Sequence, residues 1–249
     1  MVMLATEFAD LAAAIRGGSE NAAALKRLVE LAVKHIPGCA SASVTAIQHG
    51  KGISMATSDA VAAAVDALQH SLGEGPCMEA ASEAANCLLF DVEHEFRWPQ
   101  FVARAARDTP VRCVLAIRLA GPEQAALNLY ALQPAAFDDD AIAAATLFAA
   151  QATGLVAHGE AESQRQNLTI ALQSSRQIGT AMGILMTHRK VTEEQAFTML
   201  RTASQHLHRK LRDVAAVVAE TGALPEVPQV ARDNATASPA AASPAGASA

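Results

Sequence analysis

Two groups of residues in this 249-residue chain are of types that could do chemistry. The first is Cys77, Glu79, Asp91, Arg97 and Trp98: a thiol, two carboxylates, a guanidinium and an indole. Such a set could line a small-molecule pocket between a sheet and the connections at 59–108. The neighbouring Gly73, Gly75, Pro76 and Pro99 allow a plainer reading, in which these residues only shape loops and core. The second group is cationic and lies near the C-terminus: Arg176, His188, Arg189, Lys190, Arg201, Arg209 and Lys210. Lysine and arginine at this density suit phosphate contacts, and a solvated helical face is the bland alternative.

Charge is distributed in the same way. Residues 1–163 hold 10 Lys+Arg against 19 Asp+Glu, whereas residues 164–222 hold 8 against 4. A basic segment on an acidic body suits nucleic acid as a partner.

Catalytic signatures are missing. The chain has no GxSxG, GxxxxGK[ST], GxGxxG or HExxH run. LGEGPC (72–77) lacks the Lys and Ser/Thr of a nucleotide loop and reads as a tight loop. His206 and His208, two residues apart on a helix, diverge and cannot share a metal. Cys39, Cys77, Cys87 and Cys113 form no CxxC pair, so they read as buried reduced thiols, with no metal site and no disulfide framework. Asp91 ends a strand as a phosphoacceptor would, but the early acidic pair and the later strand-end Lys of a phosphoreceiver are absent. The expectation is a protein without enzymatic activity, metal or cofactor.

These residues need elements to position them. Apolar stripes at helical spacing mark helices at 4–16 and 20–36, with Pro37-Gly38 stopping the second. SASVTAIQHG and ISMATS read as strands around a turn at 49–52. Residues 59–72 read as a helix, CLLFDV (87–92) as a strand and 98–107 as a helix. VRCVLAIRLA and AALNLYALQ form a hairpin, and a helix follows from about Asp138, where three aspartates suit its N-terminus. This order predicts an α+β domain with helices on the faces of an antiparallel sheet.

From Thr146 to Thr187 the pattern is helical except at His158-Gly159, a length that suits a signalling helix pairing with its copy. Thr192, with Gln195 three residues on, predicts a capping box and a helix whose stripe is Ala196, Phe197, Leu200, Ala203 and Leu207. A last helix, 211–220, ends at Gly222. On the helix before Thr187, Ile178, Ala181, Met182 and Leu185 read as inward. Arg176, Thr180, Gly183 and Thr187 read as a small, polar outward face that a base or backbone could approach. No exposed aromatic is expected there, so arginine would supply the planar stacking groups. Residues 223–249 are mostly Ala, Pro and Ser and read as a disordered tail. No stretch resembles a membrane span or a secretion signal, so the expected location is the cytoplasm.

LGEGPCMEA (72–80), Asp91, RWPQF (97–101), VRCVLAIRL (111–119) and LNLYALQPAAF (127–137) resemble the GAF-type sensor domain of actinobacterial GAF–ANTAR regulators. RQIGTAMGILMTHRKVTEEQAFTMLRTASQHLHRKLRDVAAVVAETG (176–222) resembles the ANTAR RNA-binding domain. The resemblance implies a sensor domain at 1–160 and an all-α three-helix domain with its linker helix at 161–222. It also implies a homodimeric transcription antiterminator that binds paired hairpins in nascent RNA. The GAF domain would answer an unknown small-molecule or protein signal. Arg176, Thr180, Met182, Gly183, His188, Arg189, Lys190, Arg201, Arg209 and Lys210 are the candidate RNA contacts. Met182 departs from the family, many members of which carry Lys or another polar residue there. The competing readings are a DNA-binding helix-turn-helix regulator and a protein-interaction module that binds no nucleic acid.

Overall fold

A computed structural model describes residues 6–7, 21–83, 86–122 and 124–225. The chain divides into two compact units, residues 1–164 and 165–249. Of the helix expected at 4–16, all but Thr6 and Glu7 lie outside the described residues, as does the tail beyond 225.

The first unit contains helix α1 (Asn21–His35), strands β1 (Ser41–Gln48) and β2 (Lys51–Thr57), helix α2 (Ala60–Leu72) and helix α3 (Pro76–Glu83). Strand β3 (Cys87–Leu89), helix α4 (Pro99–Asp108), strands β4 (Cys113–Arg118) and β5 (Ala125–Ala131) and the start of helix α5 (Asp139–Arg189) complete it. The five strands form one antiparallel sheet in the order β2-β1-β5-β4-β3.

Period-two alternation along each strand assigns its side chains to opposite faces. Ala42, Val44 and Ala46 of β1, with Leu127 and Leu129 of β5, face a core closed by α1 and the start of α5. Val114, Ala116, Ala126 and Tyr130 face a second core under α2, α3 and α4. Because helices cover both faces, every residue of β5 is buried. Three polar members of β1, Ser41, Ser43 and Thr45, are therefore buried as well.

Four expectations change. The tight loop at 72–77 is confined to Gly73–Gly75: Gly73 (φ 68°) caps α2, and Pro76 opens the eight-residue α3. The strand at 87–92 ends at Leu89, and Phe90 turns out to 61% exposure. Helix α5 runs unbroken for 51 residues through His158-Gly159. Gly159 is there for space rather than for a break, since a Cβ at that position would collide with the side chain of Asn21. Finally, α5 is long and apolar enough to cross a membrane by length and composition, reaching a mean hydropathy of 1.4 over 18 residues. Its alanine-rich start fills the first core through Ala141, Ala145, Phe148, Ala149 and Ala152, which makes it a core helix by packing.

The second unit joins the end of α5 to helices α6 (Glu193–Leu207) and α7 (Leu211–Thr221). The capping box is formed: Gln195 N–H donates to Thr192 Oγ1 at 3.3 Å and Thr192 N–H to Gln195 Oε1 at 3.0 Å. Ala181, Leu185, Ala196, Leu200, Ala203, Val214, Ala215 and Val218 make the core, and Gly222 (φ 76°) caps α7. Phe197 leaves the expected stripe and is 38% exposed.

Candidate nucleic-acid interface and sensor core

In the second unit, Arg176, Thr180, Gly183 and Thr187 are all exposed on one side of α5, turned away from Ala181 and Leu185. The Thr180 and Thr187 hydroxyls donate to the carbonyls of Arg176 and Gly183 at 3.0 and 2.9 Å. They keep only acceptor capacity toward a partner. A Cβ at Gly183 would meet nothing within 4 Å, so the helix surface is open there.

His188 and Arg189 end α5, and Lys190 occupies a left-handed turn at φ 53°. Arg201 lies on α6, one turn beyond Phe197, and Arg209-Lys210 lie between α6 and α7. The six Lys and Arg side chains and His188 are exposed and, among the described residues, none pairs with an acid. The candidate contacts are nevertheless not one cluster. His188–Lys190 and Arg209–Lys210 lie at opposite ends of α6, whose fifteen residues span about 22 Å.

Met182 is half-buried. It packs against the small core and also lines an open groove along α5 with Ser175, Gly179 and Met186 and with Glu193, Glu194 and Phe197 of α6. Phe197 corrects the expectation that no aromatic is exposed. Its i,i+1 position beside Ala196 makes it the border residue of the apolar stripe, which helical periodicity alone places inside.

In the first unit, three residues of the expected sensor set, Glu79, Arg97 and Trp98, share contacts. Glu79 accepts from Trp98 Nε1 at 3.1 Å and from the Cys87 thiol at 3.0 Å. The Arg97 guanidinium stacks 4.2 Å from the Trp98 ring centroid, donates to the Leu88 carbonyl and holds Glu95 in an ion pair of 2.6 Å. That pairing lowers the Glu95 carboxyl to about 2. Asp91 is not part of this group: it caps the turn Val92–His94 by accepting from Glu93 N–H and faces His94. Cys77 is fully buried at the start of α3, with its N–H donating to Gln69 Oε1. Burial pushes the Cys39, Cys77 and Cys87 thiols up to about 12, so all three are protonated near neutral pH.

Sequence reading missed the polar centre of the second core. Asp66 of α2, fully buried, accepts from Ser43 Oγ at 2.9 Å, Ser54 Oγ at 2.6 Å, Thr45 Oγ1 at 3.4 Å and the Tyr130 hydroxyl. Asn128 Nδ2 donates to Ser43 and Thr45 at 3.1 Å. Burial raises the pKa of this carboxyl despite the hydroxyl donors and the neighbouring His70, which act in the opposite direction. Two signals were available: Asp66 is the one acid in AVAAAVDALQHSL and sits within its apolar stretch, and Ser41, Ser43 and Thr45 alternate with apolar residues.

The sensor half, residues 21–157, matches the family model for the GAF domain, and residues 166–218 match that for the ANTAR domain. The chain belongs to the GAF–ANTAR family. It is a signal-sensing regulator of the ANTAR type, and both of its domains are regulatory. Curated proteins yield no match. Among solved structures, the chain is similar to the GAF domain of a phosphoenolpyruvate-protein phosphotransferase from Acinetobacter. The identity is 15% and the TM-score 0.49, over 64% of this chain and 95% of that one. It is also similar to a type II free methionine-R-sulfoxide reductase from Thermoplasma acidophilum, at 15% identity and a TM-score of 0.44. That likeness covers 55% of this chain and 92% of that one. An RNA-binding light-oxygen-voltage receptor is similar at 19% identity and a TM-score of 0.23, over 72% of this chain and 46% of that one.

Proposed function

We propose that this protein is a cytoplasmic, homodimeric transcription antiterminator without enzymatic activity. Its ANTAR domain binds paired hairpins in nascent RNA and so prevents a terminator from forming. Its GAF domain sets that binding in response to a small-molecule signal. The observation that carries the reading is that the ANTAR match falls on the cation-rich unit, in which Arg176, Arg189, Lys190, Arg201, Arg209 and Lys210 are exposed and have no acidic partner among the described residues. Unpaired guanidinium and ammonium groups are ready for phosphate, because no ion pair must be broken first. Arg176, with Thr180 and Gly183 beside it, gives a splayed loop a planar cation next to a surface low enough for close approach.

Filter binding of the full chain to hairpin RNA and to duplex DNA tests this. The proposal requires a preference for the hairpin; preference for the duplex would favour the helix-turn-helix reading, and indifference to both a protein-interaction module. Arg176→Ala and Lys190→Ala should each weaken hairpin binding and reduce the log–log salt slope by about 0.7 per lost phosphate contact. Both residues lie off the apolar stripes, so helical content should not change.

A further inference from the structure

The open groove between α5 and α6 has the lining of a small-molecule site. Ile178, Met182 and Met186 follow one another at steps of four along α5 and so form one apolar row, with Phe197 of α6 lining the other side at 38% exposure. Gly179 and Gly183 line the same groove, and a Cβ at either would meet nothing within 4 Å, so bare backbone gives it depth. Its volume is about 1070 Å³. That is the upper end of the range of small-molecule sites, roughly 300–1,000 Å³.

Charge selects what such a space takes. The only charged residues lining it are Glu193 and Glu194. They sit in the first turn of α6, where two full negative charges outweigh the roughly half positive charge of a helix start. Among the described residues neither carboxylate forms an ion pair, although Arg189 and Lys190 lie close by in the chain. Glu193 precedes Phe197 by four residues, which puts a carboxylate and an aromatic ring on the same side of α6.

We propose that this groove is an effector site on the ANTAR unit itself, for a small organic cation with a bulky apolar body. The body lies on Ile178, Met182 and Met186, whose flexible thioethers adapt to its shape. The charge lies between the Phe197 ring, which attracts a cation to its face, and the two glutamates. Phosphate is repelled from the same place, which counts against RNA as the occupant. Met182 and Gly183 also belong to the candidate RNA contacts, so, resting on the proposed function, cation and hairpin exclude one another there. The coupling is reciprocal: each ligand weakens the other by the same factor.

Isothermal titration calorimetry of the full chain with methyltriphenylphosphonium tests the site, with triphenylphosphine oxide as an uncharged counterpart of similar shape. One phosphonium should bind per chain. The oxide should bind about tenfold more weakly, a factor that two nearby carboxylates supply even in water. Changing Glu193→Gln and Glu194→Gln together should remove that preference. Gly179→Leu puts a side chain into the groove where nothing in the protomer meets it, and leucine favours helix over glycine. This variant should keep its far-UV transition and lose phosphonium affinity at least about tenfold. Phe197→Ala should weaken binding several-fold and gives a second reading if Gly179→Leu disturbs the fold.

No saturable phosphonium binding, equal affinity for the oxide, or binding unchanged in both Gly179→Leu and Phe197→Ala would overturn the site. Filter binding of hairpin RNA at saturating phosphonium should show weakened affinity in wild type and not in Gly179→Leu; an unchanged wild-type affinity would overturn the exclusion at Met182 and Gly183. A wild type that binds the phosphonium in the groove but ignores hairpin RNA refutes the antiterminator reading and leaves the site intact.

Discussion

Asp66→Ala is the substitution that most directly probes the core of the sensor domain. In the native unit the carboxylate is the acceptor for the buried Tyr130 and Ser43 hydroxyls; Ser54 is exposed and can turn to water. Thr45 sits at 3.4 Å and is itself an acceptor for Asn128, so it loses little. Two buried donors left without an acceptor cost about 1–3 kcal/mol each, and removing the desolvated acid offsets part of that. The expected net loss is roughly 3 kcal/mol in mildly acidic solution. At about 2–4 °C per kcal/mol, the melting point of the unit should fall by roughly 6–12 °C.

The pH dependence has a definite sign. Burial raises the folded pKa of Asp66 above its unfolded value, so the stability it contributes is complete below the unfolded pKa and is lost as pH rises through the folded one. The gap between wild type and Asp66→Ala should therefore narrow from pH 5 toward pH 8. Trp98 is the one tryptophan of the chain and is 5% exposed in the same core, so its fluorescence follows this unit and not the ANTAR domain. A loss below about 1 kcal/mol at pH 5, or a gap that widens with pH, would falsify the account of a buried, hydroxyl-held acid.

Further outcomes follow from other contacts. Asp66→Asn should lie closer to wild type than the alanine variant and show a weaker pH dependence than wild type between pH 5 and 8, measured by the same fluorescence melts. Thr192→Ala breaks the capping box and should destabilise the ANTAR unit by about 0.5–2 kcal/mol, seen as a lower far-UV transition while the Trp98 transition stays put. Leu185→Ala, in a core of few large side chains, should cost about 2–5 kcal/mol and lower the far-UV transition of that unit. Cys39, Cys77 and Cys87 should resist a disulfide-exchange reagent at pH 8 in the folded protein and react on denaturation; rapid labelling of any of them in native buffer would contradict their burial.

Much of this protein was legible before any coordinates. Strand alternation, the Pro37-Gly38 stop, the Thr192 capping box and the cationic excess after residue 164 are local facts, set by neighbours within one or two turns of chain. For the same reason the element order, α3 excepted, and the division into an acidic sensor and a basic helical unit followed from spacing and charge. What remained hidden depends on residues far apart in the chain.

Asp66 looks like one acid on an alanine-rich helix until the sheet brings Ser43, Thr45 and Tyr130 around it. Gly159 looks like a helix break until Asn21 is placed against it. Phe197 sits at the border of its stripe, and only the packing of α6 on α5 decides that it faces a groove. Asp91, by contrast, looked poised at a strand end and proved to cap its own turn. The sequence by itself determined most of the elements, their order apart from α3, and their charge, because those depend on local geometry and composition. Which polar groups share a site, and which apolar residues lack a partner, was decided by tertiary structure alone, because burial is a property of the surroundings that a residue acquires only once the chain has closed around it.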